Sequence, residues 1–337
     1  MLFINRLLSV LACMVGLSVA LPLTIAHAEE EKKLNIYNWS DYITPETLTN
    51  FEKETGIKIQ YDVYDSNQLL ESKLMAGKTG YDIVVPTASP FLVRQIKLGL
   101  YQPLNKSKLT NYGNLDPRIM KMLGVQDPGN RYAVPWMWGS VGIGYNVKKI
   151  KEIMPDAPVN SLKILFDPAL ASKFAACGIG MLDSATDIIP NAMIYAGISP
   201  NSQNPEDLEK AEKVMMAIRP YIRQFHSSKY IDDLANGDMC LVLGFSGDIM
   251  QASNRAKEAK NGVEVAYALP KEGAQIWVDV MAILKDASHP NNALMFLNYI
   301  MRPDVIAANS NVIGYANGNS KASFFFKIGQ CFRCDII

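Results

Sequence analysis

Histidine is nearly absent from this chain of 337 residues: of three, only His226 and His289 lie beyond the amino-terminal leader, and neither belongs to a ligand-like cluster. That leaves no zinc pattern and no histidine general base. No P-loop occurs, and Gly178-Ile179-Gly180 lacks the third glycine of a dinucleotide-binding loop. Gly244-Phe245-Ser246-Gly247-Asp248 fails as a nucleophile elbow because Asp248 stands where the last glycine belongs. Neither a cofactor nor a metal is expected, and any catalysis would rest on carboxylates alone. Charge of one sign is missing too, since 33 basic residues face 33 acidic ones. Such a balance supplies no field for nucleic acid or an anionic membrane.

Long apolar runs are confined to the beginning. Arg6 is the sole charge before Leu7 to Ile25, and Ala26-His27-Ala28 precedes Glu29-Glu30-Glu31. This order reads as a cleaved secretory signal over residues 1–28. A lipobox ending at Cys13 fits less well, because it leaves an apolar tail behind the cysteine. No later segment reaches the ~20 apolar residues of a membrane span. An exported chain of about 300 residues is long enough for two domains. Cysteine use agrees with an oxidising compartment: Cys177 and Cys240 are candidates for one disulfide, with two buried free thiols as the alternative. Cys331 and Cys334 form a C-x-x-C without the strand-turn-helix setting of redox chemistry, so that spacing is read as incidental.

What is present alternates between strand and helix. Leu34 to Tyr37 and Ile57 to Val63 have strand periodicity, and Thr44-Pro45-Glu46 opens a helix that Gly56 stops. Leu70 and Leu74 mark a second helix ending near Gly77, and Tyr81 to Val85 is a short apolar run. The order β-α-β-α-β predicts a parallel sheet with ligand groups at the carboxyl ends of its strands, where Trp39 to Tyr42 and Thr87 to Ser89 fall. Tyr132 to Gly139, followed by a strand over Val141 to Tyr145, reads as a crossing between lobes. Later, helices are expected over Glu206 to Ile218, Tyr230 to Asn236, Gly247 to Lys260 and Pro290 to Met301, with strands at Cys240 to Phe245, Val263 to Leu269 and Ile276 to Leu284.

Three separated runs pair rings with carboxylates: Trp39-Ser40-Asp41-Tyr42, Phe245-Ser246-Gly247-Asp248 and Trp277-Val278-Asp279. Acids that meet ammonium groups and rings that cover methylenes suit a small organic cation. A hydrolase with two acids about 5 to 9 Å apart is the competing reading. Any one such pair at a strand end is as readily a plain turn.

Leu34 to Gly80, with Ile-Tyr-Asn-Trp-Ser-Asp-Tyr-Ile, Asn-Phe-Glu-Lys-Glu-Thr-Gly-Ile and Lys-Leu-Met-Ala-Gly, closely resembles the periplasmic polyamine-binding proteins, above all the putrescine receptors. The likeness continues through Gly142 to Asn146, His226 to Ile231, Gln251 to Gly262 and Phe296 to Tyr299, as far as Ala322. It implies an α/β fold of the two-lobed type II binding-protein class, each lobe a mainly parallel sheet flanked by helices. Lobe 1 is expected over 29–136 and 277–310, and lobe 2 over 137–276 and 311–337. The resemblance further implies a monomeric, non-enzymatic periplasmic receptor that hands putrescine or spermidine to an inner-membrane ABC permease. Receptors for another organic cation or an amino acid derivative are the alternative, and an amino acid would require Arg or Lys in the cleft. Matched residue by residue, the ligand set is Trp39, Ser40, Asp41, Tyr42, Thr87, Asp187, Ser227, Phe245, Asp248, Trp277, Asp279 and Tyr315, with Ser227 peripheral. Thr87 stands where serine is usual, Asp187 where glutamate is common, Phe245 for a tryptophan, and Trp277 where putrescine receptors often carry phenylalanine. After Ala322 the likeness stops, as a shifted or truncated reading frame would produce, and Phe324 to Phe326 are expected to be exposed and to favour aggregation.

Overall fold

A computed structural model of the protein describes residues 30–325. The expected leader with Cys13, and the tail from Phe326 with Cys331 and Cys334, lie outside the described residues. Ten strands are formed: β1 (Lys33–Trp39), β2 (Lys58–Tyr64), β3 (Ile83–Val84), β4 (Ala133–Asn146), β5 (Ile179–Met181), β6 (Ile222–Phe225), β7 (Leu241–Phe245), β8 (Val265–Ala268), β9 (Ile276–Ile283) and β10 (Ala316–Asn317). Their order is β2-β1-β3-β9-β4-β7-β5-β6, with β8 and β10 also on β4. Helices flank this mixed sheet.

β4 organises the fold. Its residues Ala133 to Ser140 pair with β9, and Val141 to Tyr145 pair with β7, so one strand belongs to two sheets in turn. The two stretches read separately from the sequence, on either side of Ser140, are therefore one strand. Between Pro135 and Trp138 β4 carries one residue more than its partner. That bulge sends Trp136 and Trp138, two positions apart, into different apolar clusters. Parallel pairing is found at β1 with β2 and β3, and at β5 with β6 and β7; the pairs that β4 and β9 make are antiparallel.

Local signals explain the first sheet. Thr44 Oγ1 accepts from the Thr47 N–H at the start of the Pro45–Thr55 helix, and Gly56 ends it at φ 73°. Ser66 caps the Asn67–Ala76 helix, and Gly77 closes it. The run Tyr81 to Val85 yields a strand of only two residues, β3. The turn-rich stretch before β4 contains a helix not expected there, Pro117–Gln126, capped by Asp116. In the second sheet, the Cys177–Cys240 disulfide joins the residues just before β5 and β7, with Cα atoms 5.6 Å apart. A link closing 63 residues of separation constrains the unfolded chain by about 4 kcal/mol. Phe324 and Phe325 are exposed, as expected.

Candidate ligand-binding site

Chain segments from both sheets meet around a narrow slot. Trp39, Ser40 and Tyr42 come from the end of β1, Thr87 from the segment after β3, Phe245 and Asp248 from the end of β7, Trp277 and Asp279 from β9, and Tyr315 precedes β10. The cavity measures about 50 Å³, roughly a file of four waters at the 10–15 Å³ that one water needs by the same measure. Among the described residues, no Lys or Arg lines it.

The rings form a continuous wall of edge contacts. Phe245 meets Trp277 at 5.7 Å, Trp277 meets Tyr315 at 5.3 Å, and Tyr315 meets Tyr42 at 5.2 Å between centroids. Trp39 is fixed by its indole N–H, which donates to the Val85 carbonyl at 2.9 Å. These contacts present aromatic edges and faces to whatever occupies the slot.

Each acid is held by neutral donors. Tyr230 and Tyr315 donate to the two oxygens of Asp248 at 2.7 and 2.5 Å. Their own oxygens accept backbone N–H groups, from Phe245 at 3.0 Å and from Asp248 at 3.2 Å, so both hydroxyl protons are committed to the carboxylate. Gly244 and Gly247 make this possible: a side chain at Gly244 would lie 2.7 Å from the Tyr230 ring, and one at Gly247 would overlap the Tyr315 ring. Asp279 receives Thr87 Oγ1 at 2.6 Å and Tyr42 OH at 3.0 Å. Asp187, in the first turn of the Ala185–Tyr195 helix, receives Ser184 Oγ at 2.5 Å.

Burial dominates the electrostatics. It pushes Asp279 up to about 7, against the pull of Thr87 and Tyr42, with the Asp187 charge adding to the rise. Asp248 is pushed up to about 6 by burial, with the Asp41 charge adding to the rise and its two tyrosines and Arg255 opposing it. Asp187 also rises to about 6 through burial, opposed by Ser184. Burial holds Tyr42, Tyr230 and Tyr315 well above their ordinary value, so they remain protonated donors. Three desolvated acids without a cation in their cavity favour a positively charged occupant.

Comparison with known proteins gives a consistent result. The model of the bacterial extracellular solute-binding protein family matches residues 46–323. The chain belongs to this family. A putrescine-binding periplasmic protein of Pseudomonas aeruginosa (strain UCBPP-PA14) is 53% identical over 300 residues, covering 89% of this chain and 82% of that one. A putrescine-binding periplasmic protein of Escherichia coli (strain K12) is 51% identical over 298 residues, 88% and 80% of the two chains. Among solved structures, a putative spermidine/putrescine ABC transporter protein from Listeria monocytogenes superposes with a TM-score of 0.77 at 33% identity, covering 88% of this chain and 86% of that one. The fold is thus the two-lobed α/β type of periplasmic solute-binding proteins.

Within this solute-binding fold, eleven of the twelve residues named from the sequence line the slot. Asp41 does not. Its backbone is left-handed, at φ 54°, which turns it away from the slot that Ser40 and Tyr42 face. Its carboxylate accepts from Arg255 Nη2 at 2.7 Å, and Arg255 Nη1 donates to Asp232 at 2.7 Å. This carboxylate, expected among the ligand groups, is thus paired with Arg255 and does not line the slot. Ser227 lines the slot while its Oγ accepts from the Asp183 N–H at 3.1 Å. Sequence reasoning missed Asp65, Asn67, Ser228 and Ile231, which also line it, and Tyr230 behind Asp248. Asp65 and Asn67 follow the carboxyl end of β2, so the strand-end rule that found Trp39 and Thr87 also applies to them.

Proposed function

We propose that this protein is an extracytoplasmic receptor that captures a linear polyamine, putrescine or spermidine, and delivers it to an inner-membrane ABC permease. One observation carries this reading: Asp248 and Asp279 are buried and Asp187 half-buried, all three accept from neutral donors, and they are interleaved with rings in a slot that no Lys or Arg among the described residues lines. The names of the relatives, periplasmic proteins that bind putrescine, support it. Acids take the ammonium groups; Trp39, Tyr42, Phe245, Trp277 and Tyr315 enclose the methylenes. Buried methylenes contribute about 0.8 kcal/mol each and ring contacts about 0.5 to 2 kcal/mol, and the charge-assisted hydrogen bonds at the two ends add to them.

In this reading the protein is an exported, monomeric periplasmic binder without catalytic function. The sheet of β1, β2, β3 and β9, on which β10 also lies instead of in the second lobe where it was expected, forms one lobe and the sheet of β5, β6, β7 and β8 the other, closing over the ligand because the closed form binds it better. The slot without Lys or Arg disfavours amino acids, whose carboxylate would be left unpaired. Calorimetry on the mature protein with putrescine, cadaverine, spermidine and arginine tests the assignment. Saturable binding of the polyamines with arginine excluded is expected; heat from arginine alone, or release of product from any of the four, would overturn it.

A further inference from the structure

Asp248 and Asp279 are oriented by hydroxyl groups whose protons have been committed, but the commitment has different origins. At Asp248 the upstream donors are backbone N–H groups. At Asp279 the Thr87 hydroxyl accepts from Asn67 Nδ2 at 2.8 Å, while Asn67 Oδ1 accepts from the Thr87 N–H at 3.1 Å. This reciprocal pair leaves the Thr87 proton to the carboxylate, 2.6 Å away. Thr87 and Asp279 also face each other across an isolated antiparallel bridge, so the geometry is anchored in the backbone. Asn67 is buried, and its helix start is fixed by Ser66.

We infer that Asn67 is a positioning residue of the binding site: acting through Thr87, it keeps the Asp279 carboxylate oriented and charged for a cationic ligand. The inference rests on the polyamine reading and names how one end of the slot is controlled. The groups facing Asp279 are Tyr42 from the segment after β1, Tyr64 of β2, Thr87, and Asp187 at the start of its helix; no cation is among them. Without the amide, the Thr87 hydroxyl is free to turn. Asp279 then loses a donor that holds it down against burial, and its titration moves upward.

The test is a double-mutant cycle read by putrescine calorimetry between pH 5.5 and 8.5, using Asn67→Ala, Thr87→Val and the pair. Asn67→Ala should raise the midpoint of the pH dependence by roughly half a unit to one unit and weaken binding at pH 7 about three- to tenfold. In the Thr87→Val background the same change should alter Kd by less than about twofold, because the path is already cut. Asn67→Ser, which retains a hydroxyl donor, substitutes if the alanine variant melts below the assay temperature, and it should restore part of the midpoint. An unshifted midpoint, or equal effects of Asn67→Ala with and without Thr87, overturns the inference. Absence of putrescine binding by the unaltered protein instead overturns the polyamine reading itself.

Discussion

The two ends of the slot solve one problem with different neighbours. Asp248 lies in the first turn of the Ser246–Ala259 helix, gripped by two tyrosines and within the opposed fields of Asp41, which raises it, and Arg255, which lowers it. Asp279 lies on β9 with Thr87 and Tyr42, and the charge it feels is that of another acid, Asp187. One end therefore has a cation of the protein nearby, set against a further acid, whereas the other has only acids and depends on its ligand for a positive charge. Pairing by the ligand should matter most where the protein offers least.

Asp279→Asn should break this comparison most severely. Removing one partner of a buried charge pair costs about 3–5 kcal/mol, so putrescine affinity should fall at least about a hundredfold. The ligand-free protein should melt higher at pH 7.5, because a desolvated charge is gone. Asp248→Asn should weaken binding too but stabilise the free protein less, since Arg255 loses the negative charge that it faces. Equal gains in melting temperature for the two variants would erase the distinction.

Acidity should act on both ends in one direction. A cationic ligand requires ionised acids, and those in the free protein titrate at about 6 to 7. Binding should thus weaken as pH falls from 8 to 5, up to about tenfold per unit for each group titrating, with protons released on binding. Stability of the free protein runs the other way. Carboxyls whose folded value is raised bind more protons folded than unfolded, so their contribution favours folding most near pH 4 and is lost as pH rises through about 7. Calorimetry in buffers of different ionisation enthalpy, and melts across the same range, measure both slopes; parallel slopes would contradict the assignment.

Much of this arrangement is legible in the chain wherever the determinants are local. Caps at Thr44, Ser66 and Asn204, and stops at Gly56 and Gly77, are set within a turn of sequence, and the helices they bound form where periodicity places them. Trp39 and Thr87 are recognisable because strand ends collect ligand groups, and Phe245 because a ring stands beside a carboxylate. Asp41 stands in a left-handed conformation between two residues that line the slot and pairs with Arg255, which its sequence position does not show. Gly244 and Gly247, which in sequence belong only to a failed nucleophile elbow, make room for tyrosines 14 and 68 residues away. Nothing near them announces Tyr230 or Tyr315 as partners of Asp248. The resemblance supplied Tyr315; Asn67 and Tyr230 become visible only when side chains are traced to the acids they serve.

Arg255 gives the finest test of how the ends differ. Its charge lowers Asp248 while Asp41 raises it, so Arg255→Gln should move that carboxyl upward by both routes. The same cation repels an incoming ammonium. Above pH 8, where Asp248 is ionised in either protein, its removal should tighten putrescine binding about two- to threefold, in line with the few tenths of a kcal/mol typical of partly exposed charges. Below pH 6 the two curves should converge, because there the lost repulsion is offset by the easier protonation of the free acid. Uniform weakening at every pH would mean instead that the Asp41–Arg255–Asp232 pairs contribute to binding by tying the end of β1 to the Tyr230–Asn236 and Ser246–Ala259 helices. The sign of the change at high pH therefore separates a local field at one end of the slot from a mechanical tie beside it.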